Sequence, residues 1–140
     1  MASILIVHSF DAGERYAEWI RAQGYAAHRV HTPEEAFAYI EKHPPAVIVT
    51  DLHFRMSAFN GRTFVEAVRQ LESCSRSGIV VISGRSSPEH RRHLRLTGAD
   101  LFLGPTDLRE LSRHLTRALS EHRRGRRPRW RWPDDVTAES

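Results

Sequence analysis

The sequence predicts an α/β fold: a (βα)5 chain forming a doubly wound five-stranded parallel sheet with helices on both faces, in three α/β/α layers. Three observations predict it. The runs Ile4-Leu5-Ile6-Val7, Ala46-Val47-Ile48-Val49-Thr50 and Ile79-Val80-Val81-Ile82 are short, β-branched and not alternating, as strands covered on both faces should be. Amphipathic helical patterns fall between them. Strand and helix then alternate over about 120 residues, a spacing that calls for right-handed crossovers and an open parallel sheet.

In chain order, Ile4 to Val7 is the first strand. Tyr16, Trp19, Ile20 and Gln23 repeat at helical spacing until Gly24, a natural C-terminal stop. Ala26 to Val30 is a weaker second strand. Thr32-Pro33-Glu34-Glu35 reads as a capping box, with Thr as N-cap, Pro at the first helical position and Glu three residues after the cap. The helix it opens turns Ala36, Phe37 and Ile40 inward and ends at His43-Pro44-Pro45. After the third strand, a helix starting near Asn60-Gly61 aligns Phe64, Val65, Val68 and Leu71. Ser87-Pro88-Glu89 opens the fourth helix, which Gly98 closes. Leu101-Phe102-Leu103 is the fifth strand, and Leu108, Leu111, Leu115, Ala118 and Leu119 form the apolar stripe of the last helix.

The 140 residues, 40% hydrophobic and 27% charged, suit one globular domain that buries roughly two-thirds of its unfolded surface without disulfide or metal support. No apolar run approaches the ~20 residues of a membrane span. The start has no basic n-region, and Asp11 follows too soon for a signal peptide. A single cysteine, Cys74, points to a reducing cytoplasm. Of the 21 basic residues all but Lys42 are arginine, and six of them fall between positions 123 and 131. Against Asp134, Asp135 and Glu139 these give residues 122–140 a net of +3, leaving only +1 of the total +4 for the rest. The basic character is thus a property of the tail, and the expected division is a domain over 1–121 and an Arg/Trp-rich tail over 122–140, flexible or packed at an interface.

In open α/β sheets chemistry gathers at the carboxyl ends of the strands, beside the topological switch point. The residues there are His8-Ser9-Phe10-Asp11, Asp51-Leu52-His53, Ser83-Gly84-Arg85 and Gly104-Pro105-Thr106-Asp107. With Ile4-Leu5-Ile6-Val7, Gly24-Tyr25, Glu34-Glu35-Ala36, the run from Pro45 to Leu52, Gly61, Val80-Val81-Ile82-Ser83-Gly84, Gly98-Ala99-Asp100 and Pro105 with Asp107-Leu108, their order resembles the response-regulator receiver domain of two-component signalling. The resemblance covers about residues 3 to 120, and no single piece of it is specific. It implies a flavodoxin-like fold.

It also implies a chemistry. A receiver uses a carboxylate after the third strand as phosphoacceptor and a magnesium ion held mainly by acidic residues after the first. A hydroxyl after the fourth strand and a lysine after the fifth hold phosphoryl oxygens. Asp51 matches the phosphoacceptor and Ser83 the hydroxyl. The acidic pair reads His8 and Ser9, and the lysine position reads Gly104, so two of four functional parts are missing. Magnesium is rarely held by one carboxylate plus an imidazole, so no cofactor is expected unless Asp11 substitutes for the acidic pair. A plainer role for His8 is to hydrogen-bond Asp51, its imidazolium replacing the absent cation and conferring sensitivity near neutral pH.

Other departures concern partners. Asp51 to Gly61 takes ten residues where a typical receiver takes about eight, and the loop carries Phe54, Met56 and Phe59. These residues either pack down as a lid or form a partner-docking loop. The family's switching aromatic, three residues before the missing lysine, falls on Leu101, although a one-residue slip would bring in Phe102. Arg85, Arg91, Arg92 and Arg95, in or before the fourth helix, read as ordinary exposed arginines or as a docking face. His8, Asp51 and His53 together suggest a weak transition-metal alternative, whereas the pairs His28/His31 and His90/His93 read as surface residues. The tail residues Arg126, Arg127, Trp130 and Trp132 combine cations and indoles that suit nucleic acid, anionic lipid or packing between copies. With no Gly-rich phosphate loop, no G-x-S-x-G elbow and no paired cysteine, an enzyme is not expected. The sequence reading is a stand-alone atypical receiver that meets a histidine kinase or downstream effector, with homodimerisation as a further option. Its alternatives are a phosphorylation-competent receiver with an unusual magnesium shell and a nucleic-acid-binding regulator acting through the tail.

Overall fold

The computed structural model describes residues 4–84, 88–104 and 108–127. Strand and helix alternate as predicted: β1 Ile4–Val7, α1 Ala12–Ala22, β2 Ala27–Val30, α2 Pro33–Lys42, β3 Val47–Thr50, α3 Gly61–Arg69, β4 Gly78–Ile82, α4 Pro88–Thr97, β5 Leu101–Leu103 and α5 Leu108–Arg123. One 3-10 turn, Glu72–Cys74, links α3 to β4, and it captures Leu71, which therefore lies beyond the end of α3. All strands are parallel, in the order β2-β1-β3-β4-β5. The order reverses between β1 and β3, so the switch-point crevice opens where His8 and Asp51 leave the sheet.

Non-alternating strand sequences are explained by two cores, one on each face. Leu5, Val7, Ile48, Ile79, Val81 and Phe102 face Ala36 and Ile40 of α2, Phe64, Val65 and Val68 of α3 and Leu94 of α4. Ile4, Ile6, Val47, Val49, Val80, Ile82, Leu101 and Leu103 face Tyr16, Ala17 and Ile20 of α1 and Leu111, Leu115, Ala118 and Leu119 of α5. Each fully buried aliphatic side chain contributes about 1.5–3 kcal/mol relative to exposure.

Local signals set the helix ends. Thr32 caps α2 by accepting the Glu35 N–H at 3.2 Å, while the Glu35 carboxylate accepts from His31 N–H, one residue earlier than a strict capping box. At α3 the box is complete: the Asn60 side chain accepts the Thr63 N–H and the Thr63 hydroxyl accepts the Asn60 N–H, both at 2.9 Å. Gly61 is required there, because a Cβ would stand 2.6 Å from Leu52 Cα.

At the amino ends of the strands, Asp100 is a buried anchor. Its Oδ2 accepts from Arg69 at 2.6 Å and from the Ile79 N–H at 2.8 Å, and its Oδ1 accepts from Arg127 Nε at 2.6 Å. Arg69 also donates to the carbonyls of Gly98, Cys74 and Ser77. Burial pushes the Asp100 carboxyl upward against the pull of the two arginines, and brings the Arg69 guanidinium down to about 10, still charged near neutral pH. The α5 helix and this anchor carry ordered chain past position 121 to Arg127. Trp130 and Trp132 lie outside the described residues.

Candidate functional site

The carboxyl ends of β1 and β3 bring His8 and Asp51 together. His8 N–H donates to Val30 O at 3.0 Å and Asp51 N–H donates to Val7 O at 3.2 Å, so the ladder itself sets both residues. His8 Nε2 lies 3.4 Å from Asp51 Oδ2, with side chains only 10% and 13% exposed. That is ion-pair range but longer than an ordinary hydrogen bond. The other carboxylate oxygen of Asp51 accepts the Leu52 N–H at 2.7 Å.

The His8 ring is held on every side. Its Nδ1 accepts the Phe10 N–H at 3.1 Å, which requires a lone pair there and so places the neutral-ring proton on Nε2, toward Asp51. Tyr16 and Phe10 meet the ring edge-on at 5.7 and 6.0 Å. A Cβ at Gly13 would lie 2.6 Å from His8 Cβ, so only glycine lets α1 approach this closely. Burial is the main cause that holds the imidazole below its ordinary 6.5; Asp51 pulls upward and Arg29 adds to the lowering. The imidazolium expected to replace the missing cation is therefore not the favoured form at neutral pH. A neutral ring facing the carboxylate takes its place.

The fixed cation beside His8 is Arg29, which the sequence reading missed. From β2 it donates to His8 O at 2.9 Å and Phe10 O at 2.7 Å, and its side chain is 10% exposed. The available signal was an arginine inside the second strand, between His28 and the apolar Val30. Arg29 binds the backbone of the β1–α1 segment rather than standing after β5, where a receiver has its lysine.

The long β3–α3 segment is strapped down at several points. Ser9 Oγ accepts the Arg55 N–H at 3.0 Å while donating to His31 O. Arg55 stacks over the Phe10 ring at 4.6 Å. Glu34 of α2 accepts from the Ser57 hydroxyl at 2.6 Å and from the Ala58 N–H at 3.3 Å, and the Ser57 bond holds its carboxyl below the usual range. Phe54 packs on Phe64 and Phe59 on Phe37, both half-buried against the core, while Met56 is fully exposed with φ +51°.

The remaining predicted residues fall as follows. Ser83 and Gly104 stand at the carboxyl ends of β4 and β5, where Ser83 N–H donates to Leu103 O at 3.1 Å. Asp11 is exposed at the N-cap of α1 with no side-chain capping bond. Leu101 is buried in the α1/α5 core and offers no docking surface, while Phe102 faces the layer containing α4. Alternation along β5 thus puts the aromatic Phe102, not Leu101, on the α4 side. Arg91 is half-buried and Arg92 and Arg95 are exposed on α4; Arg85 lies outside the described residues. His53 is exposed, His28 stacks on Tyr39 at 4.3 Å and His31 pairs with Glu35.

Magnesium would need several hard oxygens at the strand ends. The donors present are Asp51, with one oxygen on a backbone N–H and the other facing His8, and an imidazole. That set does not fit magnesium, and among the described residues no cluster of three or more histidine, cysteine or acidic side chains is placed to hold a metal ion.

Solved structures of CheY-like receivers share this architecture. The chemotaxis protein CheY4 of Vibrio cholerae is 26% identical, with 84% of this chain and 98% of that one covered at a TM-score of 0.75. The chain has the CheY-like receiver fold. Similar receivers include the CheY-like response regulator receiver domain protein of Methanospirillum hungatei, at 21% identity, 89% and 98% coverage and a TM-score of 0.78. Another is the receiver domain of a signal transduction histidine kinase from Syntrophus aciditrophicus, at 21% identity, 86% and 91% coverage and 0.76. No family model and no curated protein matches the sequence. Among the described residues no helix is long and apolar enough to cross a membrane.

Proposed function

We propose that this receiver serves two-component signalling as a protein–protein interaction module in which Asp51 is phosphorylated weakly or not at all. The observation that carries this reading is the His8–Asp51 contact. The site that should gather metal-binding oxygens beside the phosphoacceptor instead presents a buried, neutral imidazole 3.4 Å from its carboxylate. Losing a preorganised electrostatic contact to a transferring group costs about 3 kcal/mol, roughly a hundredfold in rate. Here both the acidic pair and the post-β5 lysine are replaced, by His8, Ser9 and Gly104.

Signalling then proceeds by binding rather than by enzymatic turnover. The outward side of α4 offers Arg92, His93, Arg95 and a 79% exposed Leu96, a surface suited to an acidic region of a histidine kinase, a downstream effector or a second copy. A reducing cytoplasmic setting suits the lone Cys74, whose buried thiol is pushed up in pKa and so kept unreactive.

Intact-mass measurement after incubation with acetyl phosphate and magnesium tests the reading. No phosphate-sized gain is expected for the folded wild type, and a gain is expected for His8→Asp/Gly104→Lys that disappears when Asp51→Ala is added. A gain by the wild type itself, lost in Asp51→Ala, would instead establish the phosphorylation-competent receiver with an unusual magnesium shell, Asp11 being the candidate ligand.

A further inference from the structure

One guanidinium stands behind the His8–Asp51 pair. Arg29 reaches from β2 to the β1–α1 segment, where its Nε and Nη2 donate to His8 O at 3.3 and 2.9 Å. Nη2 also donates to Phe10 O at 2.7 Å, and Nη1 lies 3.7 Å from Glu14 Oε2. Gly13 leaves the room for this fork, because a Cβ there would stand 2.7 Å from Arg29 Nε.

The two carbonyls bracket a single amide. His8 O belongs to the peptide unit before the Ser9–Phe10 amide, and Phe10 O to the unit after it. The amide between them carries the N–H that donates to His8 Nδ1 at 3.1 Å. Peptide units are planar, so holding both neighbours restricts the rotation of the one between. So held, it keeps a lone pair on Nδ1 and the proton of the neutral ring on Nε2, 3.4 Å from Asp51 Oδ2. The opposite tautomer would turn a lone pair toward the carboxylate. Phe10 O has a second donor, the Gly13 N–H at 2.9 Å, against which the contribution of Arg29 has to be measured.

We propose that Arg29 is a positioning residue that selects the His8 tautomer and so keeps a proton, rather than a lone pair, facing Asp51. This role rests on the same His8–Asp51 contact that carries the weak-phosphorylation reading. The charge of Arg29 also helps keep the ring in its neutral form. A lysine, a compact charge on a flexible stem, lacks the rigid fork that spans both carbonyls.

Imidazole 15N NMR of the full chain at about pH 8, above the ordinary histidine range, tests the role. In the wild type, His8 should show a protonated Nε2 and a bare Nδ1. In Arg29→Met, which keeps an unbranched stem without donors, the two 15N shifts should converge as both tautomers become populated. Arg29→Lys should fall between the two. His114 on α5 should keep its wild-type shifts in both variants, with unchanged circular dichroism. Should Arg29→Met fail to fold, Arg29→Lys carries the test, because charge and stem remain. A wild-type His8 pattern in either folded variant would overturn the proposal, since the Gly13 N–H and the rest of the segment would then suffice to hold the amide. Intact-mass measurement with acetyl phosphate and magnesium keeps the two readings apart. Phosphorylation of the wild type would overturn the weak-phosphorylation reading, whereas the tautomer pattern alone decides the role of Arg29.

Discussion

At the scale of single residues, the His8–Asp51 contact couples protonation to stability. The folded-state pKa of His8 lies below its ordinary 6.5, chiefly through burial, so the unfolded chain binds more protons between those two values. Stability is then complete above about 6.5 and falls as pH drops through 6.5 toward the lowered folded value. His114 and His122 are shifted the same way, also by burial, and add to the slope. Urea unfolding at pH 7.5 and 5.5 should show the loss, and His8→Asn should reduce it. In imidazole NMR titrations His8 should titrate below its ordinary value in the wild type and lower still in Asp51→Asn, because the carboxylate is the group that pulls it upward. A rise in that variant would show that the carboxylate is not what pulls the ring upward.

Among the elements, the β3–α3 segment is the one that sequence reasoning left open, between a packed lid and a docking loop. Its two phenylalanines go inward and its polar atoms are tied to α2 and β1–α1, leaving Met56 outermost. The ties are few and exposed, each with a net contribution of about 0.5–1.5 kcal/mol. Ser57→Ala should therefore leave global unfolding within about 1 kcal/mol of wild type. It should also speed amide exchange at Ala58 and Phe59, whose N–H groups lie against Glu34 and Ser57. Unchanged exchange at those amides would mean that phenylalanine packing alone fixes the segment.

For the whole molecule, the two ends of the parallel sheet have different duties. The carboxyl ends hold the His8–Asp51 pair; the amino ends hold the Asp100 anchor that joins α3, β4, β5 and the chain after α5. Asp100→Ala leaves the buried Arg69 charge unpaired and should cost about 3–5 kcal/mol. Arg127, whose side chain is 40% exposed, should cost only about 0.2–1 kcal/mol on replacement by alanine. Chemical denaturation of the two variants checks the contrast, and equal losses would show that the tail residue, not Arg69, carries the anchor.

The sequence by itself determined the strand and helix order and the layers, because continuous apolar runs, amphipathic spacing and punctuation at Gly24, Thr32-Pro33 and Pro44-Pro45 are local signals. It also placed Asp51, His8 and Ser83 at strand ends, since parallel alternation leaves them nowhere else. The capping box at Asn60-Thr63 was legible too and went unread. Other features depended on groups distant in the chain. Arg29 beside His8, Ser9 under Arg55, Glu34 on Ser57 and Arg76 beside Gly125 join residues about 20 to 50 positions apart, and no periodicity encodes such pairs. The protonation of His8 is likewise a tertiary matter, because burial and the surrounding charges set it. Leu101 and Phe102 mark the division most clearly: the sequence put an aromatic within one residue of the switch position, and only the pleat decided which face of the sheet it joined.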